Sequence, residues 1–274
     1  MSIRWSAVLF AMGCASPPDE APKEIGELST WLFANFDGEE NELATGTAEL
    51  QNFLASTDPG EADVDDRAFT LPVLKEKDWG TISGPKGTDA NDQLPVAVVG
   101  LSSHDLDGNI NLAGENNHVC VESGSTKYYG RRFMSGEDCF FDGSCDLLET
   151  ENEVRKETAI ADVWYDLFKD YRRVVLEDGT EVMYARSWTE KVFPGDNGAN
   201  SWDQNFTLEA WIPDGKNTLR YYAIWSAVDI GLIGDDILVN LVIDGIDEGY
   251  EHADAFMSGD SDCGNDRDRE NDRP

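Results

Sequence analysis

Basic residues are scarce in this chain. Lysine and arginine number 21 against 55 aspartates and glutamates, which leaves a formal charge of −34. Such a field repels nucleic acid, so nucleic-acid binding is not expected. It suits a solvated acidic coat or the recruitment of a basic protein partner. Histidine is scarcer still, at three residues. No HExxH or CxxC occurs, which removes the common zinc-hydrolase and zinc-finger spacings. Ser102 and Ser103 precede His104, but no GxSxG accompanies them, so a nucleophile elbow is not indicated. The GPKGT at 84–88 lacks the spacing of a phosphate-binding loop. Carboxylates are so abundant that a catalytic pair cannot be singled out from composition. No internal repeat is found, and no catalytic residue is assigned.

Long apolar runs are also missing. The longest lies at the N-terminus, where Arg4 precedes an apolar stretch over 5–13 that is too short to span a membrane but suits a signal-peptide core. Ala11-Met12-Gly13-Cys14 ends that stretch. It resembles the lipobox of bacterial lipoproteins, which implies cleavage before Cys14 and acylation of that residue. Ala15 stands where an inner-membrane retention signal places aspartate, so the resemblance implies a lipid anchor in the outer membrane. Residues 14–23, rich in proline and charge, then form a short tether.

Cysteine is limited to positions 14, 120, 139, 145 and 263. With Cys14 set aside, an even count in an exported chain allows two disulfides. Cys139 and Cys145 close a short loop naturally, which leaves Cys120 and Cys263 as the other candidate pair.

Apolar spacing predicts an antiparallel helix pair over 24–56, carried by Ile25, Leu28, Leu32 and Phe36, then by Leu43, Leu50, Phe53 and Leu54. Residues 69–74 read as an edge strand because of Pro72, and 94–101 reads as a buried strand. Asp105, Asp107, Asn109 and Asn111 alternate oxygen donors around Gly108, a pattern that a hard cation such as calcium prefers. The plain alternative is an Asp-Gly hairpin turn between 96–101 and 110–112. Calcium is the only cofactor that the residues suggest. Short strands are expected at 118–122 and 127–133, and longer ones at 147–157 and 160–169.

The clearest stretch runs from Tyr171 to Met257. Strands at 171–176 and 181–193 flank Asp178-Gly179, a strong hairpin signal. A second hairpin turns at Pro213-Asp214-Gly215 between 202–212 and 218–229. The period then changes from two to 3.6 at Asp235, with Leu238, Leu241, Val242, Ile246, Tyr250 and Ala253 on one stripe. Gly245 and Gly249 sit one turn apart in this helix, where glycine costs about 1 kcal/mol against alanine. They imply either close approach of the helix to the sheet or room for a ligand. Trp188, Phe206, Trp211, Tyr221, Tyr222 and Trp225 enrich the strands in aromatics, which either fill a core or line an apolar pocket. The residues singled out for ligand contact are Trp188, Trp211, Tyr222, Trp225, Gly245 and Gly249. Arg172, Arg173, Arg186 and Arg220 share these strands and are expected to pair with carboxylates or to read an anionic headgroup.

A meander that ends in a long helix resembles, over 147–257, the START-type helix-grip fold and the lipocalin barrel with its C-terminal helix. No lipocalin GxW occurs near the first strands. The fold class expected is α+β: a curved antiparallel sheet, a long C-terminal helix packed on it and an N-terminal helix pair. The expected organisation is a signal peptide at 1–13, the tether at 14–23, one α+β domain at 24–257 with sheet and C-terminal helix over 69–257, and a disordered acidic tail at 258–274. The function expected is binding or interaction in the cell envelope, with a small apolar or lipid ligand between sheet and helix. An envelope-polymer hydrolase and a purely structural lipoprotein are the rivals.

Overall fold

Period-two alternation and turn chemistry place most of the elements. A computed structural model describes residues 20–261 apart from positions 62, 117, 159, 160, 197, 199 and 232. The strands are β1 (Ala68–Thr70), β2 (Leu94–Ser102), β3 (Thr126–Ser135), β4 (Leu147–Glu157), β5 (Asp162–Val175), β6 (Glu181–Trp188), β7 (Phe193–Pro194), β8 (Ser201–Asp214) and β9 (Asn217–Asp229). The helices are α1 (Ile25–Ala34), α2 (Glu40–Leu54), α3 (Leu106–Leu112), the single turn α4 (Glu137–Phe140) and α5 (Asp235–Met257). All strands join one curved, open antiparallel sheet in the order β1-β2-β9-β8-β6-β5-β4-β3, with β7 beside β8. The expected α+β class, helix pair and C-terminal helix are therefore present.

The meander from β3 to β9 follows from hairpin connections, and the two N-terminal strands extend it beyond β9. β2 is flanked by β1 and β9 and carries a nearly continuous apolar run because both of its faces are covered. On one face Ala97 and Val99 meet the core beneath α1 and α2. On the other, Val96 and Val98 meet Ile243 and Ile246 of α5.

α1 and α2 form the expected pair. Gly46 of α2 is pressed on Trp31 and Leu32 of α1, where a Cβ would lie 2.5 Å from the indole. The pair buries Leu28, Leu32, Phe33, Leu43 and Leu50 against Tyr184, Phe206, Tyr221 and Trp225. Two sheet tyrosines reach polar groups on the helices. Tyr221 Oη lies 2.5 Å from Ser29 Oγ and Tyr184 Oη 2.9 Å from Thr47 Oγ1, so both hydroxyls stay satisfied in a dry layer.

Three expectations are corrected. Residues 106–112 form α3 and not a hairpin turn: the Asp105 side chain accepts from the Gly108 N–H at 3.0 Å as a helix N-cap. Leu106, Ile110 and Ala113, spaced by a helical turn, then pack near Phe140, Leu148 and Tyr171. Residues 118–122 form a turn, because the Val121 and Glu122 amides both bond to the His118 carbonyl. Lastly, the strand divisions differ. Residues 160–169 and 171–176 are not separate strands, since β5 runs unbroken over 14 residues. Residues 181–193 are not one strand, since β6 ends at Trp188 and Phe193 belongs to β7.

Candidate ligand-binding cavity

Alternation along β5, β6, β8 and β9 sends odd and even residues to opposite faces of the sheet. Val182, Tyr184 and Trp188 of β6 face the N-terminal helices, and Met183 and Ser187 face the other way. α5 lies over β2 on that second face, and its glycine-bearing side stands clear of β5 and β6. A cavity of about 300 Å³ occupies the space between.

The wall is mostly apolar. Val163, Leu167, Met183, Trp211, Ile224 and Val242 are representative, from four strands and α5. Leu241 lines the cavity yet is 53% exposed, so it stands at the opening. This corrects its expected burial. Ile243, outside the expected stripe, is buried against β2 and β9.

The polar end is built around Lys169 on β5 and Glu209 on β8. Lys169 Nζ lies 2.6 Å from Glu209 Oε1, across the intervening strand β6. That reach is open because β6 places the small residues Ala185 and Ser187 between them: Ala185 is opposite both Tyr171 and Glu209, and Ser187 is opposite Lys169. Burial raises the Glu209 carboxyl against the pull of Lys169. Burial alone would lower the Lys169 ammonium, but Glu209 and then Tyr171, Tyr129 and Tyr222 outweigh it and raise the group well above its ordinary value.

Beside this pair, Arg131 on β3 donates to Tyr171 Oη at 2.9 Å, Tyr129 Oη at 3.3 Å and Asn152 Oδ1 at 3.0 Å. It also lies 2.8 Å from His118 Nε2. Because a guanidinium only donates, that nitrogen accepts and the imidazole proton sits on Nδ1. Burial first, then Arg131 and Lys169, lower the His118 pKa well below its usual value, so the ring is neutral. Burial likewise pushes the Tyr129 hydroxyl up to about 12. At another point on the wall, Asn205 Oδ1 is buried without a hydrogen-bond partner.

The residues named from sequence divide between the two faces. Trp211, Tyr222, Gly245 and Gly249 line the cavity. Trp188 and Trp225 do not: both belong to the core under α1 and α2, where Trp225 Nε1 donates to the Pro72 carbonyl at 2.8 Å. The two helix glycines are not close-approach sites, since a Cβ at Gly245 would find its nearest neighbour at 4.0 Å and one at Gly249 at 3.9 Å. Of the four arginines, only Arg220 reaches the wall, where it pairs with Asp254 at 2.7 Å and bonds Asn109 Oδ1 at 2.9 Å. Arg186 pairs with Asp37 and Asp170, Arg173 with Glu181, and Arg172 holds the Phe36 and Gly38 carbonyls.

The four oxygen-bearing residues proposed for calcium are not brought together. Asp105 caps α3, Asn109 is buried on Arg220, and Asp107 and Asn111 are exposed on the helix. Among the described residues no group of three or more His, Cys, Asp or Glu is placed to hold a metal ion. Cys139 and Cys145 form the expected disulfide, with Cα atoms 5.3 Å apart. Cys120 is also disulfide-bonded. Cys263 and Cys14 lie outside the described residues.

Lys169, Glu209, Arg131 and His118 escaped the sequence reading. Their signal was weak but present: Lys169 falls between Leu167 and Tyr171 on the same strand face, and Glu209 between Thr207 and Trp211. A charge at a core-facing position of an alternating strand marks a buried polar contact.

No protein-family model matches the sequence, and no curated protein sequence matches it. Solved structures resemble it in shape. One is a fragment of a STAR-related lipid transfer protein from Xanthomonas axonopodis, at 9% identity and TM-score 0.42, over 60% of this chain and 85% of that one. A START superfamily protein from Mycobacterium smegmatis matches at 9% identity and TM-score 0.40, over 61% and 99%. Human StAR-related lipid transfer protein 5 matches at 8% identity and TM-score 0.37, over 60% and 76%. These are likenesses of overall shape, and neither ligand nor activity is inferred from them.

Proposed function

We propose that this protein is a non-enzymatic binding protein that holds a small amphipathic molecule between its sheet and α5. The cavity itself carries the reading: about 300 Å³ of space with an apolar wall and one polar end. That volume is at the small end of the range for ligand pockets, roughly 300–1,000 Å³. Gly245 and Gly249 support it, because two helix-weakening residues line the cavity where a Cβ would meet nothing closer than 3.9 Å and larger side chains would enter the space.

The hydrolase reading asks for two convergent carboxylates with one free to act as an acid. Glu122 and Glu209 both lie on the wall, but Glu209 is committed to Lys169 at 2.6 Å. An ion-paired glutamate serves better as a fixed acceptor than as a proton donor.

The direct test is fluorescence titration of the purified protein with a neutral apolar dye, N-phenyl-1-naphthylamine. One saturable site with enhanced emission is expected. A filled interior would give no saturable signal and would end this reading. The proposal also includes anchoring to the outer membrane through acylated Cys14, supported by the lipobox-like residues 11–14. Fatty-acid labelling of the membrane fraction, abolished by Cys14→Ser, is the result expected; equal labelling of the variant would remove the anchor.

A further inference from the structure

The charges around the cavity do not cancel. Its wall carries Lys156, Lys169 and Arg220 against Glu122 and Glu209. Behind it stand Arg131, bonded to two wall tyrosines, and Asp254, paired with Arg220. Four cations stand beside three anions in these two layers, in a chain whose formal charge is −34. His118 adds none, because its imidazole is neutral.

Arg131 has no carboxylate partner among the described residues. Its acceptors are all neutral: Asn152 Oδ1, the Ala113 and Glu115 carbonyls, His118 Nε2 and the hydroxyls of Tyr129 and Tyr171. Each other cation close to the polar end has a carboxylate: Lys169 has Glu209, and Arg220 has Asp254. Arg131 is half-buried and keeps some water, so the deficit beside it is partial, and a nearby anion offsets it.

Hydrogen-bond direction points that deficit into the cavity. Tyr129 Oη and Tyr171 Oη accept from Arg131, which leaves their own hydroxyl protons to be donated elsewhere. Lys169 has three donors, and one of them goes to Glu209. The polar end is therefore rich in donors with a cation behind them, which is what a carboxylate requires.

Resting on the reading that the cavity holds an amphipathic molecule, we propose that this molecule is a monoanion, a carboxylate on an apolar body, with its oxygens set against Lys169, Tyr129 and Tyr171. The cavity, at about 300 Å³, suits one short apolar body rather than a two-chain lipid.

Isothermal titration with dodecanoate, methyl dodecanoate and dodecylamine compares one apolar body carrying three charges. Dodecanoate is expected to bind at least about tenfold tighter than its ester, with the amine weakest. Arg131→Gln should cut dodecanoate affinity by about tenfold while leaving the ester unchanged. If that variant does not fold, Tyr171→Phe removes a single hydroxyl and should narrow the same gap. Equal affinity for acid and ester, or tightest binding of the amine, would overturn the monoanion while leaving an apolar binding cavity. Failure of all three to bind, together with no dye binding, would remove the cavity reading itself.

Discussion

Gly100 on β2 lies directly beneath the ring of Tyr250 on α5: a Cβ at residue 100 would meet two ring carbons at 2.5 Å. Tyr250 Oη donates to the Val98 carbonyl at 3.2 Å, and the Arg220 guanidinium lies 5.4 Å from the ring centre. The close approach of helix to sheet is therefore made here and not at the helix glycines. It sets the height at which α5 crosses the sheet, and thus the depth of the cavity beyond it.

Gly100→Ala should accordingly destabilise the fold by roughly 1–3 kcal/mol through overpacking. Chemical denaturation measures this. In a Tyr250→Ala background the same substitution should cost clearly less, and an unchanged cost would show that the ring is not what the methyl meets.

Gly245→Leu should behave in the opposite way. The new side chain enters the cavity, so stability is expected to hold or to rise by about 1 kcal/mol from helix propensity alone. Binding of N-phenyl-1-naphthylamine should fall at the same time. A destabilised variant with dye binding intact would place that face of α5 against packed atoms.

Asp170, on the opposite face of the sheet, gives a pH dependence. Burial raises its pKa to about 6 against the attraction of Arg186, with Glu149 and then Asp37 adding to the rise. The folded state then keeps the proton to higher pH than the unfolded chain. The associated stability is fully present below about pH 4 and is lost as pH rises to about 6, a difference of up to about 3 kcal/mol. Urea denaturation across this interval should show the decline in the wild type and a flatter profile in Asp170→Asn. Identical slopes would contradict the assignment.

The Cys139–Cys145 bridge closes a loop with a sequence separation of 6. The chain-entropy estimate for so short a loop is ~2 kcal/mol. Cys139→Ser/Cys145→Ser should lose about that much, and neither thiol of the wild type should react with iodoacetamide before reduction.

Much of this architecture is legible one segment at a time. Asp178-Gly179 dictates its reversal because turn geometry depends on a few adjacent residues. The second hairpin turns at Gly215-Lys216, with Pro213 and Asp214 still paired in β8 and outside the turn expected for them. The change of period at Asp235 marks α5, and 139–145 is short enough that its cysteines meet without help from the fold. The error at 106–112 has a local cause as well. Asp-Gly signals a turn, yet Asp105 also caps a helix, and burial of Leu106 and Ile110 decided between the two.

The site is another matter. Alternation divides each strand into two faces, but it does not tell which face meets α1 and α2 and which meets α5. Trp188 and Trp225 are as aromatic as Trp211 and Tyr222, and only strand pairing puts the first two under the N-terminal helices and the others on the cavity. Lys169 and Glu209 are 40 residues apart and meet across a third strand whose residues there are small. Side-chain period and turn type are set by neighbours along the chain, whereas the cavity and its charges depend on register between strands. Register is settled only when the whole sheet buries one face at a time.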